Sequence, residues 1–322
     1  MTKTVFPFKP GRPRRLTGRA VLVVLALVAP CLLGPADAAR AQATDQKTFA
    51  TPEAAVEALV KSLGAGDAAD MIEILGPEHE GTLIGGDEIA ARENRKRAAA
   101  AAAEKTELRD AGEGRKVLII GAKNWPVPIP IVQMDGRWRF DTEAGLEELV
   151  NRRIGRNELN AIEICRQYID AQVDYASKDR DGDQVLEYAQ RVMSGEGQRD
   201  GLYWDSVAGE ELSPFGPLIA DARDYLDGRE PGDPFMGYYF KIITRQGEDA
   251  IGGRYDYIIN GNMIVGFALI AFPAEHGNSG VMTFICSYTG RIHQKNLGQD
   301  GDLIAAAMAT YNPDSSWTLV EE

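Results

Sequence analysis

The sequence predicts an α+β fold made of an N-terminal helix-plus-meander region, a helical middle and a C-terminal antiparallel β meander. Three observations carry this. Residues 52–64 repeat apolar side chains at helical spacing, and residues 143–179 sustain helix-forming composition. From about Pro231, short aromatic and β-branched runs alternate with turns centred on Gly and Asn.

The first element is a secretory signal peptide, residues 1–43. Lys3, Lys9, Arg12, Arg14, Arg15 and Arg19 form a basic start, Ala20 to Leu33 is apolar, and Ala41-Gln42-Ala43 offers a cleavage site after Ala43. The apolar run is shorter than the roughly 20 residues of a membrane helix and contains Pro30, so no span is expected after cleavage. Cys31 raises a lipoprotein alternative, against which Pro30 stands where a small residue is wanted. Arg14-Arg15 raises twin-arginine export, against which Thr17, Gly18 and Arg19 interrupt the apolar context. Residues 1–43 hold seven basic residues and one Asp, so their removal takes the net charge from −13 to −19. That acidity argues against nucleic acid as a partner.

Residues 44–150 form the α+β region. Thr51 is an N-cap, Pro52 suits the first helical position, Glu53 complements the helix dipole, and Ala55, Val56, Leu59, Val60 and Leu63 make the apolar stripe. Strands follow at Val117, Val127 and Arg137, with Asp135-Gly136 as the turn between the last two. Between helix and strands, AARENRKRAAAAAAEKTELRDAG has high helix propensity but almost no apolar stripe. It is expected as an exposed helix with Arg92, Arg95, Lys96 and Arg97 on a solvated face, the alternative being a basic binding element. This order of elements resembles the small cone-shaped folds of the nuclear-transport-factor-2-like kind, a resemblance of fold that implies no activity.

The helical region spans residues 151–225. One long helix, with a break at Gly155 and a stripe of Ile162, Cys165, Ile169, Val173 and Ala176, is followed by a second helix from about Val185. The Gly- and Pro-rich stretch to Ala222 reads as irregular chain with a terminal helical turn, over which Tyr203 and Trp204 are packing residues.

Residues 226–322 are the antiparallel β region, read as five strands: GYYFKIIT, RYDYIINGN, MIVGFALIAFPA, GVMTFICS and GRIHQKNL. Its closing pattern resembles the C-terminal sheet of type IV pilin-like proteins. The loop HGNSG places His276 and Ser279 together, but Gly277 and Gly280 mark a tight turn, and members of one turn seldom hold the geometry of a nucleophile and its base. Cysteine-dependent envelope transpeptidases share His-Gly and Ser-x-Gly elements, yet Val281 follows Gly280 here, and Cys286 lies in mid-strand. No residue is assigned a catalytic role.

The motif with chemical content is DRDGDQVLEYAQ, residues 179–190. In a calcium loop of the EF-hand kind, Asp179, Asp181 and Asp183 supply side-chain oxygens, Val185 a carbonyl and Gln190 the last position. Gln184 replaces the usual Gly and Gln190 the usual Glu; the competing reading is a hydrated loop whose aspartates cap a helix. Cys165 and Cys286 each sit in an apolar pattern, so a disulfide and two buried thiols both remain open.

The segments from Phe140, Tyr175, Asp200, Gly237 and Gly266 together resemble the bacterial exported proteins grouped as domain-of-unknown-function family 2950 (DUF2950). The resemblance implies an envelope location, periplasmic or secreted, and no assigned reaction. The expected function is a non-catalytic binding or assembly module whose partner is an envelope protein or a cell-wall component. The alternative is an envelope-polymer hydrolase or transpeptidase using His276, His293 or acidic residues, for which no convergent nucleophile, base and orienting group is legible.

Overall fold

The computed structural model describes residues 46–65, 68–85, 87–180, 182–206, 211–216, 218 and 233–321. The signal segment 1–43, Asp181 and the helical turn expected toward Ala222 lie outside the described residues.

Helix α1 (Pro52–Gly64) starts as expected, with Thr51 Oγ1 accepting the Ala54 N–H at 3.2 Å and Ala55, Val56 and Leu59 buried. Three further helices follow: α2 (Ala69–Leu75), α3 (Glu80–Ile84) and α4 (Glu88–Glu104). Asp87 caps α4 by accepting the Ala90 N–H at 2.9 Å. The chain then enters β1 (Thr106–Asp110), β2 (Arg115–Ile120), β3 (Trp125–Pro126), β4 (Ile131–Met134) and β5 (Arg137–Phe140). These pair antiparallel in the order β1-β2-β4-β5, with β3 also on β2. Asp135 and Gly136 both have positive φ, as the two-residue turn between β4 and β5 requires.

Two expectations fail in this region. The helix does not run on through TELRDAG; Thr106–Asp110 is β1, drawn into strand by full pairing with β2 from Thr106↔Ile120 to Asp110↔Lys116. Nor is α4 a solvated rod, because Ala91, Arg95 and Ala102 are buried and the helix packs on α1. Alanines supply a flat contact surface that carries little apolar signal in the sequence.

Helix α5 (Thr142–Tyr175) is continuous across Gly155, where an added methyl would meet nothing within 4 Å and packing on either side outweighs the glycine's poor propensity. Its inward stripe is Ala161, Cys165, Tyr168, Gln172 and Tyr175, one step away from the expected one, and Val173 is 59% exposed. Gln172 is fully buried because it is satisfied: Nε2 donates to the Ala189 carbonyl at 2.8 Å and Oε1 accepts the Ala189 N–H at 2.8 Å. This clasp also explains why the second helix expected from Val185 is absent. Residues 185–187 have no regular structure, and Tyr188 bridges in extended form to Met263.

The C-terminal half contains β6 (Tyr238–Ile243), β7 (Arg245–Gln246), β8 (Tyr255–Asp256), β9 (Ile258–Ile259), β10 (Asn262–Met263), β11 (Ala268–Pro273), β12 (Met282–Ser287) and β13 (Ile292–Asn296). Helix α6 (Gly301–Ala307) and β14 (Thr318–Leu319) complete it. The five-stranded antiparallel sheet has the order β14-β13-β12-β11-β6. RYDYIINGN is not one of its strands. It forms the ribbons β7-β8 and β9-β10, with positive φ at Gly252, Gly253, Asn260 and Gly261, while Tyr257 is buried with its hydroxyl on Gln246 Oε1 at 3.0 Å. Strand β14 takes the fifth place.

Among the described residues, the buried hydrophobic side chains gather into two cores. One joins α5 to the C-terminal sheet around Tyr168, Phe267 and Phe284; the other joins α1 and α2 to the N-terminal sheet around Leu59, Leu118 and Phe140. Among the described residues, no helix is long and apolar enough to cross a membrane.

Candidate functional site

The turn holding His276 and Ser279 is closed by its own hydrogen bonds. Gly277 has φ +79, and its N–H donates to the Gly280 carbonyl at 2.8 Å. The Ser279 hydroxyl accepts the Glu275 N–H at 2.9 Å and donates to the Glu275 carbonyl at 3.1 Å. His276 pairs through Nε2 with Asn296 Oδ1 at 3.0 Å, and His293 places Nδ1 3.3 Å from the Tyr311 hydroxyl. Burial, then the charge of Arg291, holds the His293 imidazole below its usual pKa. The three side chains therefore have three different partners. Gly280 serves close approach and not a left-handed turn, since a Cβ there would stand 2.2 Å from Tyr238 Oη. Helix α5 holds the turn in place: Asn157 Nδ2 donates to the Ser279 carbonyl at 2.9 Å, and Glu158 Oε1 accepts the N–H groups of Val281 and Met282 at 2.9 and 3.0 Å.

In the 179–190 loop, Asp179 accepts the N–H groups of Gly182 and Gln184 at 2.7 and 2.9 Å. Asp183 accepts the Val185 N–H at 2.8 Å and Asn262 Nδ2 at 2.7 Å. Gln190 donates to the Gly261 carbonyl at 2.6 Å, and Glu187 accepts the Met263 N–H at 3.0 Å. Among the described residues, no group of three His, Cys, Asp or Glu side chains is arranged to hold a metal ion; Asp181 is outside them. Cys165 and Cys286 are free, fully buried thiols in the core between α5 and β12. Burial, then contact with Cys165, raises the Cys286 thiol well above its usual pKa.

The structure also holds a cavity, whose lining includes Arg95 and Arg97 of the basic run in α4. This cavity of about 440 Å³ opens between α1, α4 and the N-terminal sheet. Its walls are apolar, with Leu59 and Leu63 from α1, Ala98 and Ala102 from α4, and Leu118 and Ile129 from the sheet side. Five arginines line it as well: Arg95 and Arg97 from α4, and Arg152, Arg153 and Arg156 from α5. The carboxylate in the lining, Asp87, is turned onto backbone, accepting the N–H groups of Ala90 and Gly237 at 2.9 and 3.1 Å.

The arginines differ in how their charge is met. Arg152 pairs with Glu148 at 2.7 Å and lies over the Trp125 ring at 5.9 Å. Arg153 donates to the Leu83 carbonyl at 3.1 Å, to the Thr82 carbonyl and to Asn278 Oδ1, all neutral acceptors. Arg97 donates to Asn94 Oδ1 at 2.6 Å, another neutral acceptor. Among the described residues, Arg156 makes neither a hydrogen bond nor an ion pair. Burial, then the neighbouring charge of Arg156, lowers the Arg153 pKa against the opposing pull of the Glu275 carboxylate, and burial, then Arg97, lowers that of Arg156. Like charges are thus gathered beside an apolar space, where each weakens the next. The spacing of Arg153 and Arg156 on one helix face, beside the buried Asn157, was the available signal.

Comparison with known families places this geometry in context. The family model described as a protein of unknown function, DUF2950, matches residues 46–320. The chain belongs to the DUF2950 family. No curated protein and no solved structure matches this DUF2950 chain. The match runs from the chain entering α1 to β14, so the cavity and the clamped turn both fall within the family's span.

Proposed function

We propose that this DUF2950 protein is exported to the cell envelope and acts there as a non-catalytic binding module that holds a small apolar molecule in the N-terminal cavity. The cavity is the observation that carries the reading. An empty apolar space costs stability in proportion to its volume, and packed interiors leave few voids larger than a water molecule. At about 440 Å³ this one lies within the roughly 300–1,000 Å³ typical of small-molecule sites, and it has their character of apolar walls with a few polar groups. Support for a binding role also comes from the turn, where the Ser279 hydroxyl is engaged by Glu275 and both histidines are held elsewhere. Support for export comes from the basic start, apolar run and small-residue site of residues 1–43.

The test is titration with Nile red, a neutral dye that brightens in apolar surroundings. Saturable binding at one site, abolished in Ala98→Trp while far-UV circular dichroism is unchanged, is the expected result. Binding that is unsaturable, or indifferent to Ala98→Trp, would overturn the reading. For export, N-terminal sequencing of protein recovered from the envelope fraction is expected to begin at Thr44, and an intact Met1 terminus would contradict it.

A further inference from the structure

We infer that the occupant of this cavity is a single-chain anionic amphiphile, an alkyl chain ending in a carboxylate or phosphate, with its head held by Arg156 and Arg97 beside Arg153. The inference rests on the cavity being a binding site and adds the chemistry of what fills it.

The argument is one of charge. Apart from the signal segment the chain carries −19, so carboxylates to neutralise surface arginines are plentiful. Elsewhere the structure uses them: Arg109 takes Glu107 at 2.6 Å, and the buried Arg180 takes Glu211 at 3.2 Å. At the cavity Arg152 takes Glu148, but Arg97, Arg153 and Arg156 have no carboxylate in ion-pair contact among the described residues. Arg97 and Arg153 bond neutral oxygens, Arg156 bonds nothing among the described residues, and Asp87 accepts the backbone N–H groups of Ala90 and Gly237. Three neighbouring guanidiniums, Arg153 and Arg156 half-buried and Arg97 exposed, repel one another; Glu275 offsets part of the charge at Arg153, and an entering anion relieves the rest. Guanidinium forks bind carboxylate and phosphate through paired, charge-assisted hydrogen bonds. The apolar walls beyond the arginines exclude a compact inorganic anion as the whole ligand, because Leu59, Leu118 and Ile129 need hydrocarbon against them.

Competition against bound Nile red tests this with four probes of equal chain length: decanoate, decyl phosphate, decanol and decylamine. Decanoate or decyl phosphate is expected to displace the dye at concentrations at least about tenfold below decanol, as one charge-assisted contact implies. Decylamine is expected to be the weakest. Arg156→Gln should erase that tenfold advantage and leave decanol displacement unchanged; Arg97→Gln should reduce it. Decanoate ahead of decyl phosphate points to a fatty carboxylate, and the reverse order to a lipid phosphate; either supports the inference. Equal displacement by decanol and both anions would overturn it while leaving the cavity a binding site. Failure of Nile red itself to saturate would instead remove the reading beneath it.

Discussion

Replacing Gln172 with Leu removes a partner from a closed set of buried groups. Gln172 and Ala189 are 0% and 2% exposed, and the side chain bonds both the N–H and the carbonyl of Ala189 at 2.8 Å, with Nε2 also 2.9 Å from the Tyr168 hydroxyl. Leucine fits the volume but leaves two buried backbone groups without partners, at about 1–3 kcal/mol each. The Tyr168 hydroxyl keeps only a long contact of 3.4 Å to the Ala268 carbonyl. The loss is therefore about 2–6 kcal/mol, a large part of the ~5–15 kcal/mol that holds a native domain together. At about 2–4 °C per kcal/mol for a chain of this size, Tm falls by roughly 4–24 °C. Urea denaturation followed by far-UV circular dichroism measures the loss directly. A change within about 0.5 kcal/mol, the range of surface substitutions, would refute the clasp and with it the account of why residues 185–190 are not helical.

Three further outcomes follow from the geometry. Gly280→Ala places a methyl 2.2 Å from Tyr238 Oη and is expected to cost about 1–3 kcal/mol; adding Tyr238→Phe should recover part of it, whereas strictly additive losses would contradict the contact. Asp179→Ala removes the acceptor of two N–H groups and should cost about 1–2 kcal/mol, equally with and without millimolar calcium; a loss that appears only with calcium present would mean that the loop holds the ion. The Tyr255 phenol, pushed up to about 12 by burial and then by the Tyr288 hydroxyl, is favoured neutral in the fold. Its contribution is complete below an ordinary phenol pKa of 10.0 and is lost as pH rises through about 12, so stability should fall less steeply over that window in Tyr255→Phe; equal slopes would contradict the assignment.

What the sequence made legible was local. Thr51 and Pro52 at the start of α1, the Asp135-Gly136 turn and the strands β11, β12 and β13 all depend on side chains within a few positions of one another. What it concealed depends on distant partners. Tyr168, Gln172 and Tyr175 look polar until Phe267, Ala189 and the Arg199 carbonyl are brought to them, so local periodicity selects a stripe that includes Val173, which points outward. Strand β14 is two residues long and exists only because β13 offers an edge. The calcium reading took three aspartates at alternate positions as ligands. Of these, Asp179 and Asp183 accept the loop's own N–H groups and Asn262, and Asp181 lies outside the described residues, so the calcium titration of Asp179→Ala decides between the two readings. The cavity escaped for a related reason, since Ala98 and Ala102 make a wall only when α1 and β2 stand across from them.

The most direct measurement of the central claim is where a bound chain sits. In an isotope-filtered nuclear Overhauser experiment with decanoate and methyl-labelled protein, cross-peaks are expected from the ligand's alkyl protons to the methyls of Leu59, Leu118 and Ile129. Cross-peaks confined to the C-terminal sheet around β11 and β12, from a ligand that binds saturably, would contradict it.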